Sequence, residues 1–108
     1  MTRGTVVWVD LSDASPPEMG KRRPAVIVSN SAQNFVLDSV VGVPLSSRPP
    51  EIASLRVRVQ PRGFASPSFA IVPGIRQLKK SRILRAAGEL SPSEMATLEQ
   101  AVCDYLSE

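Results

Sequence analysis

The sequence contains no histidine and only one cysteine, Cys103. This scarcity excludes zinc sites built from histidine and cysteine, and it excludes nucleophilic catalysis by Ser–His or Cys–His pairs. A single cysteine cannot form an internal disulfide, so nothing in the sequence requires an oxidising compartment. No group of carboxylates has metal-ligand spacing, and no glycine-rich phosphate loop is present. We therefore expect neither a metal nor another cofactor.

Long hydrophobic runs are also missing from the chain. No apolar stretch approaches the ~20 residues that span a bilayer, and residues 1–4 lead into a strand-like run without the features of a signal peptide. A length of 108 residues fits one domain, and an apolar content of 43% suffices for one hydrophobic core. We expect a single domain over residues 1–108 and a cytoplasmic location.

Basic residues are absent from the C-terminal part of the chain. All 13 lysines and arginines lie at or before Arg85, and with five acidic residues they give residues 1–88 a net charge of +8. Residues 89–108 carry five acidic residues and no basic one, a net charge of −5. This asymmetry favours a surface that binds a polyanion, with an acidic element beside it. Guanidinium and hydroxyl groups suit a phosphodiester substrate, and RNA already contains its own nucleophile, the 2′-OH.

Strand patterns cover most of the chain. Runs rich in β-branched residues, or with alternating apolar residues, predict strands at residues 5–11, 25–30, 39–45, 55–60, 69–72 and 75–78. The near-continuous apolar run at 25–30 predicts a strand that is buried on both faces. Gly42 and Pro44 favour an edge position or a bulge for the strand that contains them.

Two connecting segments have different patterns. Residues 12–23 are rich in proline, glycine and serine, which predicts a loop, and loops of that length in a small domain tend to be functional. Residues 79–90 are ambiguous, and we expect a short helical turn near Ser81 followed by a last short strand.

The C-terminal segment has clear helix signals. Ser91 is a good N-cap, Pro92 occupies the first helical position, and Glu94 completes a capping box. Apolar residues at helical spacing form one stripe, which comprises Met95, Leu98, Val102, Tyr105 and Leu106. Many short strands followed by one capped helix predict a mainly β, α+β fold, in which the helix closes an antiparallel barrel or a strongly curved sheet.

Four segments together resemble the MazF/PemK (Kid) family of bacterial toxin endoribonucleases. They are residues 3–11 (RGTVVWVDL), 18–30 (EMGKRRPAVIVSN), 40–47 (VVGVPLSS) and 71–76 (IVPGIR). The resemblance implies an SH3-like β-barrel, a homodimer and metal-independent cleavage of single-stranded RNA at short sequence motifs, the activity of an mRNA interferase. It also implies products with 2′,3′-cyclic phosphate and 5′-OH ends, and a cognate MazE-like antitoxin whose acidic tail blocks the RNA groove.

The resemblance also implies which residues act on RNA. The catalytic arginine of the family falls on Arg23, and its catalytic threonine or serine falls on Ser46. We expect Arg23 to contact the scissile phosphate and help move a proton, with charge stabilisation as the firmer part of this role, and Ser46 to hydrogen-bond the developing charge. Candidate RNA-binding residues are Lys21, Arg22, Ser47, Arg48, Arg56, Arg58 and Arg76. Ser47 replaces Ser46 as the catalytic candidate if the alignment shifts by one residue.

The candidates for stacking on RNA bases are Trp8, Phe35, Phe64 and Phe69. Because Trp8 lies inside a predicted strand, we expect it to pack in the core instead.

Three positions depart from the family pattern. They are Thr5, where many members have an acid, Ser46, where threonine is commoner, and Gly74, where some members have a polar residue near the site.

Two other functions compete with RNA cleavage. A CcdB-like toxin, which poisons DNA gyrase, would share the barrel, but its gyrase-binding tail ends in Trp-Gly-Ile, whereas this sequence ends in Tyr-Leu-Ser-Glu. A non-catalytic SH3-like RNA-binding module would bind RNA without cleaving it. Neither function gives Arg23 and Ser46 a chemical role.

Overall fold

The computed structural model describes residues 1–11, 22–48 and 55–108. Its strands are β1 (Thr5–Asp10), β2 (Arg22–Ile27), β3 (Ser39–Ser46), β4 (Arg56–Val59), β5 (Ser68–Ile71), β6 (Arg76–Lys79) and β7 (Ile83–Glu89). Its α-helices are α1 (Ser31–Val36) and α2 (Pro92–Leu106), and short 3₁₀ turns span Val72–Gly74 and Lys80–Arg82. The predicted strands, and the predicted helical turn near Ser81, are therefore present with boundaries shifted by a few residues.

Every strand pairing in the described sheet is antiparallel, in the order β4-β5-β3-β2-β1-β7, with β6 also pairing with β3. Just beyond β4, Arg62 forms a two-way backbone bridge with Glu89 at the end of β7. This bridge joins the two ends of the strand order, so the sheet curves round on itself. A Cβ at Gly88 would collide with the carbonyl oxygen of Arg62, so the closure requires glycine at this position. The mainly β barrel with a C-terminal helix is confirmed.

The sheet buries apolar side chains on both of its faces. One cluster contains Val6, Val26, Val43 and Leu45 and is covered by Leu98 of α2, among others. The other cluster consists of Val7, Val9, Leu11, Ala25, Ile27, Val40 and Leu78. Successive residues of β1 and β2 point to opposite faces, so both strands contribute to both clusters. The predicted burial of the 25–30 run on both faces is confirmed for its paired part.

Of the two possibilities predicted for β3, an edge position or a bulge, the edge position is wrong. The strand pairs with β2 on one side and, on the other, with β6 through Ser39–Gly42 and with β5 through Leu45 and Ser46. Pro44 falls between the parts paired with β6 and β5, where a proline costs the ladder least. The sheet changes partner at this point, which is why a proline is accepted in a central strand.

Two further differences concern the chain around β2. The predicted loop at 12–23 is too long at its end, because Arg22 and Arg23 already belong to β2 and pair with Asp10 and Val9. Residues 12–21 lie outside the described part of the chain. After β2, the helix α1 was not predicted from the sequence. It is only six residues long, and Asn30 caps it by accepting hydrogen bonds from the next turn.

The predicted N-terminus of α2 is confirmed. The Ser91 side chain accepts from the Glu94 N–H, the Glu94 side chain accepts from the Ser91 N–H, and Pro92 is the first helical residue. Met95 and Leu98 are buried as expected, but the stripe does not stay buried, since Tyr105 and Leu106 are 45% and 69% exposed. In the described residues, neither helix has the length and apolar content that a membrane crossing would need.

Candidate active site

An open cavity of about 480 Å³ lies where the start of β2 meets the end of β3. Its walls come from β1, β2, β3, the first residue of β5 and the segment that precedes β5. The lining residues are Trp8, Arg22, Arg23, Pro24, Leu45, Ser46, Ser47, Phe64, Ser66, Pro67 and Ser68. The cavity therefore contains both residues proposed as catalytic and two of those proposed to bind RNA.

The pairing of β2 with β3 brings Arg23 and Ser46 to the same cavity. Ala25 is opposite Pro44, and Arg23 lies two residues before the former while Ser46 lies two residues after the latter. In an antiparallel pair these two positions are level with each other if the register continues. Arg23 is also opposite Val9 of β1 and is half-buried, so its backbone is held by the sheet rather than by a loop.

Ser46 has a structural role and a position in the cavity at the same time. Its Oγ accepts a hydrogen bond of 3.2 Å from the backbone N–H of Arg48, which stabilises the turn after β3. The residue is only 8% exposed. A hydroxyl has one donor and two acceptor positions, so this bond still leaves the O–H group as a donor for a ligand.

Hydroxyl and guanidinium groups dominate the polar lining of the cavity. Four serines and two arginines face it, and no carboxylate belongs to its described lining. Guanidinium offers paired N–H donors that match two phosphate oxygens, and hydroxyls add single donors. Such a set can neutralise and orient a phosphodiester. No three or more His, Cys, Asp or Glu residues of the described chain are grouped in a way that would hold a metal ion.

Trp8 does not pack in the core as expected. It is half-buried and lines the cavity, and the Arg85 guanidinium lies 5.8 Å from its ring centroid. Of the other aromatic residues, Phe64 also lines the cavity, and Phe69 is half-buried beside it on β5. Phe35 is 78% exposed on α1 and is not part of this lining.

A row of side chains leads away from the cavity across the sheet. Ser46 is opposite Phe69 of β5, and Phe69 is opposite Arg58 of β4. Directly opposite residues of antiparallel strands project from the same face, so these three lie side by side. The neighbouring Arg56 donates a 3.3 Å hydrogen bond to the carbonyl oxygen of Arg48. Three of the proposed RNA-binding arginines are thus grouped at this side of the cavity.

The two remaining RNA-binding candidates, Arg76 and Lys21, are assigned neither to the described lining nor to the arginines beside it. Arg76 lies on β6 opposite Gly42, half-buried, and is not one of the lining residues. Lys21 lies outside the described residues. The departure at Gly74 has a packing reason, because a Cβ there would lie 2.7 Å from the Pro44 ring. A polar side chain at position 74 would therefore require Pro44 to move.

A family comparison decides which class of protein this is. The chain matches the family of PemK-like, MazF-like toxins of type II toxin–antitoxin systems over residues 2–106. The chain belongs to this toxin family. A relative from Mycobacterium tuberculosis, endoribonuclease MazF9, is 30% identical over 109 residues, which covers 94% of this chain and 92% of that protein. The resemblance inferred from the four sequence segments is confirmed.

Solved structures of family members have the same fold. MazF from Deinococcus radiodurans is similar with a TM-score of 0.86 at 22% identity, covering 98% of this chain and 96% of that one. A mycobacterial endoribonuclease in complex with its cognate antitoxin is similar with a TM-score of 0.81 at 26% identity, covering 98% and 94%. The mainly β barrel with its C-terminal helix is therefore the architecture of this toxin family.

Several lining residues could not be found from the sequence. Ser66, Pro67 and Ser68 lie in or next to a turn-rich connection that carries no motif of its own, whereas Phe64 of the same connection was expected as a stacking candidate. They reach the cavity because β5 pairs with the end of β3. The sequence did contain a signal for Trp8. A tryptophan has an apolar ring and a polar N–H group, so it often lies at the border of the core, where part of the ring is exposed.

Proposed function

We propose that this chain is a toxin of the endoribonuclease class that cleaves single-stranded RNA within short sequence motifs, without a metal ion. The proposal rests on one observation. Arg23 and Ser46 line the same cavity, and the polar side chains of its described lining are guanidinium and hydroxyl groups. Membership of the MazF-like toxin family and the endoribonuclease relative support the reaction class.

The reaction uses the 2′-OH of the substrate as its nucleophile. Its oxygen attacks the adjacent phosphorus, the bond from phosphorus to the 5′ oxygen breaks, and the products carry a 2′,3′-cyclic phosphate and a 5′-OH. The 2′-OH loses a proton and the leaving 5′ oxygen gains one. An arginine stays protonated in proteins, so Arg23 is assigned to stabilising the negative charge that builds on the phosphate. Its second contribution is to hold the phosphate in line for attack.

Ser46 contributes a hydrogen bond to the same developing charge. Its backbone position is fixed by β3 and by the turn that its own Oγ stabilises. A donor that is held before the reaction starts needs no reorganisation when the charge appears. Ser47, which also lines the cavity, is next to it and supplies the alternative hydroxyl.

The RNA backbone is expected to follow the basic residues of the cavity lining and those on the β4 side of the cavity. Arg22 is exposed within the lining, and Arg58 is exposed at the end of the row through Phe69. Arg56, two residues before Arg58 on β4, donates a hydrogen bond to the carbonyl oxygen of Arg48, which follows β3. Lys21 and Arg76 remain candidates, the first because of its sequence position in the basic run.

Two partners complete the proposal. The first is a cognate antitoxin, as in the mycobacterial endoribonuclease solved in complex with its own. We expect an acidic tail of this antitoxin to occupy the basic cavity. The second is another copy of this chain. Phe35 and Val36 are 78% and 82% exposed at the end of α1, and neighbouring apolar side chains of this kind favour association. Light scattering of the purified protein measures the oligomeric state directly.

The test is cleavage of a long single-stranded RNA in excess EDTA, with analysis of the ends of the products. We expect discrete fragments with 2′,3′-cyclic phosphate and 5′-OH ends, at sites that share a short sequence. Fragments with 3′-OH and 5′-phosphate ends, or activity that EDTA abolishes, would contradict the mechanism. Binding of several varied RNAs without cleavage by the folded protein would favour the RNA-binding module, and absence of both would favour a gyrase poison.

A further inference from the structure

Trp8 occupies an irregular position in the pairing of β1 with β7. Val6 is opposite Gly88 but Val7 is opposite Ala86, and Trp8 is opposite Arg85 but Val9 is opposite Ile83. Strand β7 therefore has two residues without a partner on β1. Ala87 lies before the segment that faces Val7 and Trp8, read from Gly88, and Leu84 lies after it. Bulges of this kind increase the local twist and redirect side chains. Two of them flank the single tryptophan of the chain.

The side chain opposite Trp8 is a cation that contacts its ring. The Arg85 guanidinium carbon lies 5.8 Å from the ring centroid, within the range of a cation–π interaction. Arg85 is exposed, and no described carboxylate forms an ion pair with it. A flat cation above an aromatic ring restricts the rotation of both side chains. The ring is therefore held in position at a site that the core does not enclose.

The ring also belongs to the wall of the candidate active site. Trp8 lines the cavity together with Arg23 and Ser46, and its strand partner Pro24 lines it too. In the strand order, Trp8 and Arg85 lie on the β7 side of Arg23, whereas Phe69 and Arg58 lie on the β4 side of Ser46. Trp8 and Pro24 project from one face of the sheet, and Arg23 and Ser46 project from the other, so the cavity that all four residues line takes in both faces.

From this arrangement we propose that Trp8 and Arg85 form a stacking subsite for one nucleobase next to the scissile phosphate. Trp8 contacts the base through the part of its ring that faces the cavity, and Arg85 is a positioning residue that holds the ring. Single-stranded nucleic acids bind by this combination of aromatic stacking and cationic neighbours. The subsite depends on the proposed function only in that the ligand is RNA, since base stacking does not require cleavage.

The single tryptophan makes the subsite directly observable. Intrinsic fluorescence of the wild-type protein is followed during titration with a short 2′-O-methyl oligoadenylate, which cannot be cleaved because its 2′ oxygen is blocked. A matched abasic oligomer of equal length provides the same phosphates without bases. We expect the oligoadenylate to quench Trp8 fluorescence and the abasic strand to bind more weakly without quenching it. Equal quenching by both strands would overturn the subsite.

Variants separate stacking from charge. In Trp8→Leu, affinity for a labelled oligoadenylate should fall by about 5- to 150-fold, the range found for the loss of one stacked base, while affinity for the abasic strand stays the same. Trp8→Phe should recover part of the loss. Arg85→Gln should reduce both the quenching and the preference for the base-bearing strand, and Arg85→Lys should restore them only in part because lysine has no planar group.

A matched control tests whether charge alone explains the result. Lys79 is exposed on β6 and lines a different cavity, so Lys79→Gln removes one positive charge elsewhere. It should leave the preference for the base-bearing strand unchanged. An unchanged preference in both Trp8→Leu and Arg85→Gln, with folding verified by circular dichroism, would disprove the subsite. If RNA cleavage in EDTA persists in that case, the proposed function stands without it.

Discussion

The cavity and the C-terminal helix use their charged residues in opposite ways. In α2, Glu94 accepts hydrogen bonds from the N–H groups of Ser91 and Gln60, and Glu99 forms a 2.6 Å ion pair with Arg3. Both carboxylates thus attach the helix or its cap to other parts of the chain. In the cavity, Arg22 and Arg23 lie among serine hydroxyls, and no carboxylate is part of the described lining.

One charge asymmetry therefore serves two purposes in this protein. The acidic groups of α2 are largely satisfied by the scaffold, so removing one should change stability more than RNA cleavage. The other polar groups of the described cavity lining are serine hydroxyls, which can donate to an anionic ligand as the guanidinium groups do. Removing one of them should change RNA cleavage or binding more than stability. Four substitutions test this contrast, in order of decreasing expected effect.

Arg23→Ala should have the largest effect on cleavage. Loss of a preorganised donor at developing charge typically lowers kcat by about 10²- to 10³-fold. Arg23→Lys keeps the charge but loses the paired donors, so it should recover only part of the activity. Cleavage of a fluorogenic RNA measures both variants. A variant that is folded and as active as the wild type would remove Arg23 from the mechanism.

Ser46→Ala should lower cleavage by a smaller factor, about 10- to 100-fold, because one neutral donor is lost. The substitution also removes the hydrogen bond to the Arg48 N–H, at a cost of about 1 kcal/mol in the free energy of unfolding. Ser46→Thr keeps the hydroxyl and should restore both properties. Ser47→Ala is the matched control, and a larger loss of cleavage in that variant would move the catalytic role to Ser47.

Arg58→Gln should weaken RNA binding in a salt-dependent way. The affinity for a 2′-O-methyl RNA should fall as salt rises, and the log–log slope should become less steep by about 0.7 if Arg58 neutralises one phosphate. The control is Arg62→Gln, since Arg62 is exposed but is paired with Glu89 and lines a different cavity. Identical slopes in all three proteins would show that Arg58 does not contact the RNA backbone.

Glu94→Gln should change stability and leave cleavage unchanged. Burial raises the pKa of Glu94, but hydrogen bonds from the Ser91 and Gln60 N–H groups, together with the Ser91 side chain, lower this pKa overall below its ordinary value. A glutamine has one accepting oxygen where the carboxylate has two, so the variant should lose about 0.5–1 kcal/mol of unfolding free energy at neutral pH.

The pH dependence of that loss follows from the direction of the shift. A folded-state pKa below the unfolded one contributes stability that is full above the ordinary glutamate pKa and is lost as pH falls through the lowered pKa. The stability difference between wild type and Glu94→Gln should therefore shrink on acidification through this range. Urea denaturation at several pH values measures it, with Glu108→Gln as an exposed control. A difference that does not depend on pH would contradict the assignment.

Local patterns predicted the parts of the fold that depend on neighbours in the chain. The cap of α2 was predictable because Ser91, Pro92 and Glu94 satisfy the orphan groups of their own first turn. The edge position expected for β3 was wrong. A proline removes only one backbone N–H donor, whereas the number of partners that a strand has depends on the whole sheet. Helix α1 has only six residues, which is too short to show a helical repeat of apolar residues. Its N-cap, Asn30, was not sufficient by itself to predict the helix.

The candidate site was predictable only in part. Arg23 and Ser46 were identified through the family resemblance, and the structure brings both of them to one cavity. Trp8 was assigned to the core because strand periodicity does not distinguish a buried face from the wall of an open cavity. The two extra residues of β7, which redirect the pairing around Trp8, have no signature in the sequence of β1.

The functional groups available to this protein follow from its residue types and short spacings alone. They are guanidinium and hydroxyl groups without histidine, a strongly basic first part, and a capped acidic helix. These are properties of residue types and short spacings, so they do not depend on how distant segments meet. The tertiary structure decided which of those groups share a cavity. Residues 23, 46 and 68 are far apart in the chain, and only the pairing of β2 with β3 and of β3 with β5 brings them together.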